Sequence, residues 1–200
     1  MTLNAILCEG NAEEEVMEIL LENDCLIISY NDLFHDEVLR VRSAEKFCES
    51  YLRTELSEQV TIYRILDSEN ENFKLTKKLK KAYANKINCV KDVITSEEIE
   101  ILIIHAKGRY EDYQRWRAGR TNSRKPSDYC KEELEFSDVK KKGVYKSYFS
   151  DYRRLIEAIH LYNQTRKTRR RTLGGEDKLT LFDLLKKEYK QWPLQIQENR

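Results

Sequence analysis

Residues 6–24 read ILCEGNAEEEVMEILLEND, and the junction Cys8-Glu9-Gly10 decides how the chain is built. An apolar run stops at Cys8. An acid and a glycine follow, and then acids open a segment in which Val16, Met17, Leu20 and Leu21 recur at helical spacing. Apolar residues three and four apart mark one face of an amphipathic helix. The preceding LNAILC is β-prone, and CLIISY (25–30) reads as a second strand. A strand, a helix and another strand in succession favour a parallel sheet.

Working outward, the stretch 32–59 is expected to be mostly helical. VTIYRIL (60–66) reads as a third strand that breaks off in acids and amides, and FKLTKKLKKAYANK (73–86) as a basic amphipathic helix. INCVKDVI (87–94) is a fourth strand candidate. TSEEIEILIIHAKGRYEDYQRW (95–116) predicts one helix, opened by a Thr95-x-x-Glu98 capping box that satisfies free backbone donors. Residues 1–118 thus alternate β and α and form an α/β domain with a parallel-sheet core. Residues 119–200 form a mainly helical C-terminal region: a polar loop, a long helix over 144–171, the Gly174-Gly175 break and a short last helix.

The composition narrows the chemistry. Lys and Arg number 36 and Asp and Glu 35, so the overall field selects no partner and any nucleic-acid contact must come from a local patch. The five cysteines are widely spaced, without a CxxC pair, which argues against zinc and for buried thiols. No apolar run approaches the roughly 20 residues of a membrane span, so no membrane association is expected and the cytoplasm is the expected address. His35, His105 and His160 stand far apart in sequence, and Ser68 has no evident base, so zinc and serine chemistry are disfavoured.

The acids remain. In open α/β sheets ligands gather beyond the carboxyl ends of the strands. Glu9 follows the first strand and Glu13 lies four residues on, in the first helical turn. Asp67 and Glu69 follow the third strand, two apart, so an extended backbone points them the same way. Such an oxygen-only set suits Mg²⁺ or Mn²⁺, which keep sites for water and substrate phosphate.

These residues resemble a known family. ILCEGNAEEEVMEILL is similar to the first motif of Toprim domains, in which a strand leads to Glu-Gly and an acid follows four residues later. The form is nearest to that of the OLD-family and related phage-defence nucleases. IYRILDSENE looks like the second motif, with Asp-Ser-Glu in place of Asp-x-Asp, and VITSEEIEIL is similar to an OLD stretch where an acid opens a helix. Thr95 stands where OLD-like proteins tend to carry a lysine, with Lys91 nearby.

The resemblance covers about residues 3–105. It implies metal-dependent cleavage of phosphodiesters in DNA or RNA, with Glu9, Asp67 and Glu69 toward Mg²⁺ or Mn²⁺ and Glu9 or Glu13 managing protons. A Toprim-like module that binds partners without catalysis, beside a separate ATPase, is the alternative, since the chain has no Walker A pattern.

Two basic runs are candidates for phosphate contact: Lys77 and Lys78 in the first, and Arg166, Lys167, Arg169, Arg170 and Arg171 in the second. Glu98 and Glu100 read as cap and surface residues.

Overall fold

The computed structural model describes residues 3–67, 73, 75–95, 97–118, 124–173 and 178–192, with the side chains of 167–173 outside that description. Glu69, Lys74 and the Gly174-Gly175 break lie outside the described residues.

Four strands form one sheet: β1 (Leu3–Cys8), β2 (Leu39–Arg40), β3 (Val60–Leu66) and β4 (Ile87–Ile94). Their order is β2-β1-β3-β4 and every pairing is parallel, which is the expected parallel-sheet α/β core. β3 is central and every one of its residues is buried, including Arg64. A central parallel strand is covered on both faces and so reads as a continuous apolar run instead of an alternating one.

The pleat sends Ile6, Cys8, Tyr63 and Ile65 to one face and Ala5, Leu7 and Ile62 to the other. The first face is covered by α1 (Asn11–Glu22) and by helices from later in the chain. The second carries α2 (Ala44–Tyr51) and α3 (Lys77–Ala82), which pack through Phe47, Cys48, Leu79 and Tyr83. Burying one such Ile or Leu side chain contributes about 1.5–3 kcal/mol.

Beyond β4 come α4 (Ile101–Ala106), α5 (Tyr110–Ala118), α6 (Pro126–Glu132), α7 (Val144–Tyr148), α8 (Tyr152–Leu173), α9 (Leu181–Leu184) and α10 (Lys187–Lys190). The C-terminal region is helical, as expected. Its side chains Tyr145, Leu155, Ile159 and Leu184 join the same core as α1 and α4.

Several local expectations are corrected. CLIISY is not a sheet strand. The place beside β1 is taken by Leu39–Arg40, and residues 25–27 instead pair with 184–186, through Ile27 N–H to the Leu184 carbonyl (2.8 Å) and Lys186 N–H to the Cys25 carbonyl (2.9 Å). The stretch 32–59 holds only one α-helix, because Leu39–Arg40 is drawn into the sheet.

The helix expected over 95–116 is two helices. They part at Gly108, whose φ of +65° is a conformation that glycine adopts without steric cost. The Thr95 capping box does not form either: Thr95 is buried, its hydroxyl donates to the Leu66 carbonyl (3.1 Å), and α4 starts only at Ile101. The long helix over 144–171 is likewise interrupted after Tyr148.

Cys8, Cys25, Cys48 and Cys130 are buried free thiols, while Cys89 is half-buried. Among the described residues no helix is long and apolar enough to cross a membrane.

Candidate active site

Because β1 and β3 are parallel neighbours, with Ile6 opposite Tyr63, their carboxyl ends open at one edge of the sheet. Glu9 leaves the end of β1 and Asp67 the end of β3. Gly10 is the residue before α1, with ordinary extended backbone (φ −121°, ψ 175°), so the turn does not demand a glycine. What a larger residue would meet is the Glu13 carboxylate: a Cβ on Gly10 would lie 2.6 Å from Glu13 Oε2, at the end of that side chain. Glu13, in the first turn of α1, is buried. Burial pushes its pKa up and the charge of Glu9 adds to that, against backbone N–H groups of the first turn and Lys140.

Asp67 is pushed up to about 7, first by burial and then by the charges of Glu13 and Glu98, with Lys140 and the Ile99 N–H opposing. Its Oδ1 is buried and has no hydrogen-bond partner among the described residues. Leaving a carboxylate oxygen in that state costs free energy that a cation would recover.

The segment between β4 and α4 adds two acids. Glu100 is only 2% exposed, and burial raises its pKa to about 7, with Lys140 lowering it and Glu98 and Asp67 raising it further. Glu98 differs. Burial acts upward on it too, but Lys140 Nζ at 2.8 Å from Oε1 and the Ser127 N–H at 3.1 Å from Oε2 hold it below the usual range. Lys125 Nζ stands 3.5 Å from the same Oε1.

Tyr145, from α7, is fully buried, and its hydroxyl has no hydrogen-bond partner among the described residues. Burial raises its pKa, followed by the charges of Glu100, Cys130, Glu13 and Asp67, which places the phenol beside the acids. Glu15 fixes α7 in place. Its buried carboxylate accepts N–H groups from Gly143, Tyr145 (2.9 Å) and Lys146 (3.2 Å). Gly143 makes the turn into α7 with φ +91°, which favours glycine.

The structure therefore brings Glu9, Glu13 and Asp67 into one neighbourhood, as the sequence leads one to expect. It also draws in Glu98 and Glu100, which had read as cap and surface residues, and Lys140 and Tyr145, which had not been singled out. The spacing of Thr95-Glu98 hinted at Glu98. Nothing local separates Lys140 from its neighbours Lys141 and Lys142. The lysine of the cluster is thus Lys140. Lys91 instead sits 5.1 Å over the Tyr63 ring.

The candidate nucleic-acid residues are not gathered at this edge. Lys77 and Lys78 are exposed on α3, on the opposite face of the sheet from α1 and α4. Arg166 is half-buried and donates to the Ile94 carbonyl at the end of β4, a structural use of its guanidinium. The side chains of Lys167, Arg169, Arg170 and Arg171 lie outside the described residues. His105 stacks on Tyr110 (4.4 Å), and His160 Nε2 meets the Tyr189 carbonyl at 2.6 Å.

The donor chemistry fits a hard divalent cation: oxygen atoms only, excess negative charge, and a buried oxygen without a donor. The side chains are not drawn together to bind one, since among the described residues no three His, Cys, Asp or Glu groups stand at metal-holding separations.

Compared with known proteins, the chain matches no family model, and no curated protein or solved structure matches it significantly.

Proposed function

We propose that the chain is a divalent-metal-dependent nuclease that cleaves phosphodiester bonds in DNA or RNA. The observation that carries this reading is that Glu9 and Asp67 leave the carboxyl ends of the neighbouring parallel strands β1 and β3, with the charge of Glu13 felt at Asp67 and with Asp67 Oδ1 buried and lacking a donor among the described residues. Glu9 and Asp67 would hold Mg²⁺ or Mn²⁺, joined by Glu69. The chemistry such an ion supplies when bound is stabilisation of the charge that develops on the phosphoryl oxygens.

The remaining work falls to this chain's own residues. Glu13, buried in the first turn of α1 and with its pKa raised by burial, is the residue assigned to accept and return a proton. Lys140 offsets part of the negative charge at this edge, since its ammonium pairs with Glu98 and acts on Asp67 and Glu100.

A second reading is a non-catalytic, partner-binding module that works with a separate ATPase. It is favoured by Glu98 being already paired with Lys140 and Ser127, and by the acids standing apart.

One assay tests the first reading: plasmid, single-stranded DNA and RNA incubated with Mg²⁺ or Mn²⁺, wild type beside Glu9→Ala and Asp67→Asn. Metal-dependent cutting that both variants lose supports the nuclease. No cutting of any substrate, or equal cutting by the variants, would sink it. The partner-binding reading instead expects no metal-induced rise in melting temperature and a protein that co-purifies with the chain.

A further inference from the structure

A second cavity, of about 410 Å³, borders Glu9 and is lined by Glu9, Arg40, Arg42, Ser43 and Lys46. The fold explains its position. Arg40 ends β2 directly opposite Cys8 in the parallel register, one residue before Glu9. Arg42 follows two residues on, and its guanidinium donates to the Glu9 carbonyl at 3.4 Å. Ser43 caps α2 through its hydroxyl, and Lys46 lies in the first turn of that helix.

The lining decides what the cavity can hold. No hydrophobic residue lines it, and the charged side chains carry its polar groups. Three cations face one carboxylate, so a free cation is repelled and an anion is drawn in. Two arginines present planar donor forks that match the oxygens of a phosphate. One of the cations is also held in place. Arg40 donates to Asn11 Oδ1 at 2.8 Å and lies 3.7 Å from Glu14 Oε2, both on α1, the helix that carries Glu13.

We propose that this cavity is a phosphate subsite, which binds a backbone phosphate of the nucleic-acid strand next to the one presented to Glu9, Glu13 and Asp67. The choice of a nucleic-acid phosphate rests on the nuclease reading above. The anionic character of the ligand follows from the lining alone. A strand that crosses the acidic edge must have its neighbouring phosphates neutralised, and the cavity supplies three cations where Glu9 ends. The exposed lysines Lys77 and Lys78 of α3 do not line this cavity.

Binding tests the subsite independently of cutting. Fluorescence anisotropy of a labelled 20-nucleotide single strand, DNA and RNA in turn, would be measured in EDTA across a salt series. Each phosphate contact on a single strand contributes about −0.7 to the slope of log affinity against log salt. The Arg42→Ala/Lys46→Ala chain is expected to bind about tenfold more weakly, with a shallower slope by about one contact. Asp67→Asn should bind at least as tightly as wild type. Lys77→Ala/Lys78→Ala removes the same charge from outside the cavity and should lose clearly less.

Wild-type affinity and slope in the Arg42→Ala/Lys46→Ala chain, equal losses in the two double variants, or no binding by wild type would each overturn the subsite. Inorganic pyrophosphate serves as a competitor. If it binds through Arg42 and Lys46 while oligonucleotide binding ignores them, the cavity belongs to a free phosphate compound and the assignment to the strand is wrong. A chain that binds strands through this cavity yet cuts nothing keeps the subsite and loses only the nuclease reading. Thermal melts of each variant check folding, and the exposed positions of Arg42 and Lys46 predict unchanged melting temperatures.

Discussion

Lys140 Nζ lies 2.8 Å from Glu98 Oε1, a pairing between a lysine of the C-terminal region and an acid that follows the last strand. It links two parts of the chain 42 residues apart and sets the charge of the whole acidic edge, because the same ammonium lowers the pKa values of Asp67 and Glu100. Replacing Lys140 with Met removes that cation and raises all three acids. The expected result is a pH–rate profile whose acidic limb moves to higher pH, with cleavage at pH 7 reduced about tenfold or more. An unmoved limb would show that Lys140 serves packing only.

The raised acids make stability pH-dependent with a definite sign. Asp67 and Glu100 have folded pKa values of about 7, against ordinary values of 3.8 and 4.5. A folded value above the unfolded one gives a contribution fully present below about pH 4 and lost as pH rises to about 7. The Asp67→Asn chain should therefore melt close to wild type at pH 4. Its advantage should grow between pH 4 and 7 and level off above that. Discounted for the partial exposure of Asp67, the plateau is on the order of 1–2 kcal/mol, or a few degrees in a chain of this length. Added Mg²⁺ should stabilise wild type more at pH 8 than at pH 5, because protonated carboxyls release the ion.

Glu15 tests how the helical region is attached. Its buried carboxylate carries three N–H groups at the start of α7, and Lys146 on the same helix pairs with Glu18 and Glu22 at 2.9 Å each. Glu15→Ala strands those donors. A loss of about 3 kcal/mol is expected, visible as a melting temperature lower by roughly 6–10 °C. Lys146→Ala removes only exposed pairs and should cost less than about 1 kcal/mol. Similar losses in the two variants would contradict the cap.

Gly10→Ala separates space from backbone freedom. The backbone at Gly10 suits any residue, so folding should survive with a change under about 1 kcal/mol. The new methyl would strike Glu13 Oε2, and the carboxylate must swing away. Cleavage should fall about tenfold with an unchanged melting temperature. Retained activity would remove Glu13 from the proton-handling role.

Much of the sheet and part of the site were legible in the chain, and the limit was the reach of local pattern. LNAILC, VTIYRIL and INCVKDVI carry the β-branched and apolar residues of strands, and the helical period after Glu-Gly marks α1, so the parallel sheet and the meeting of Glu9, Glu13 and Asp67 follow from residues close in sequence. CLIISY carries the same strand signal and is no sheet strand, because its hydrogen-bonding partners lie near residue 185 and the place beside β1 goes to Leu39–Arg40. Propensity reports what a segment favours and is silent about which partner reaches it first. Glu98, Glu100, Lys140 and Tyr145 were hidden for the same reason: burial and charge pairing over tens of residues exist only once α7 packs against α1 and α6 against α4. The sequence by itself determined an acidic edge on a parallel sheet. Only the tertiary structure decided which lysine neutralises that edge, which acids are forced toward neutrality, and that Arg40 of β2, Lys46 of α2 and Arg42 between them stand beside Glu9, because each of these depends on distances that folding alone sets.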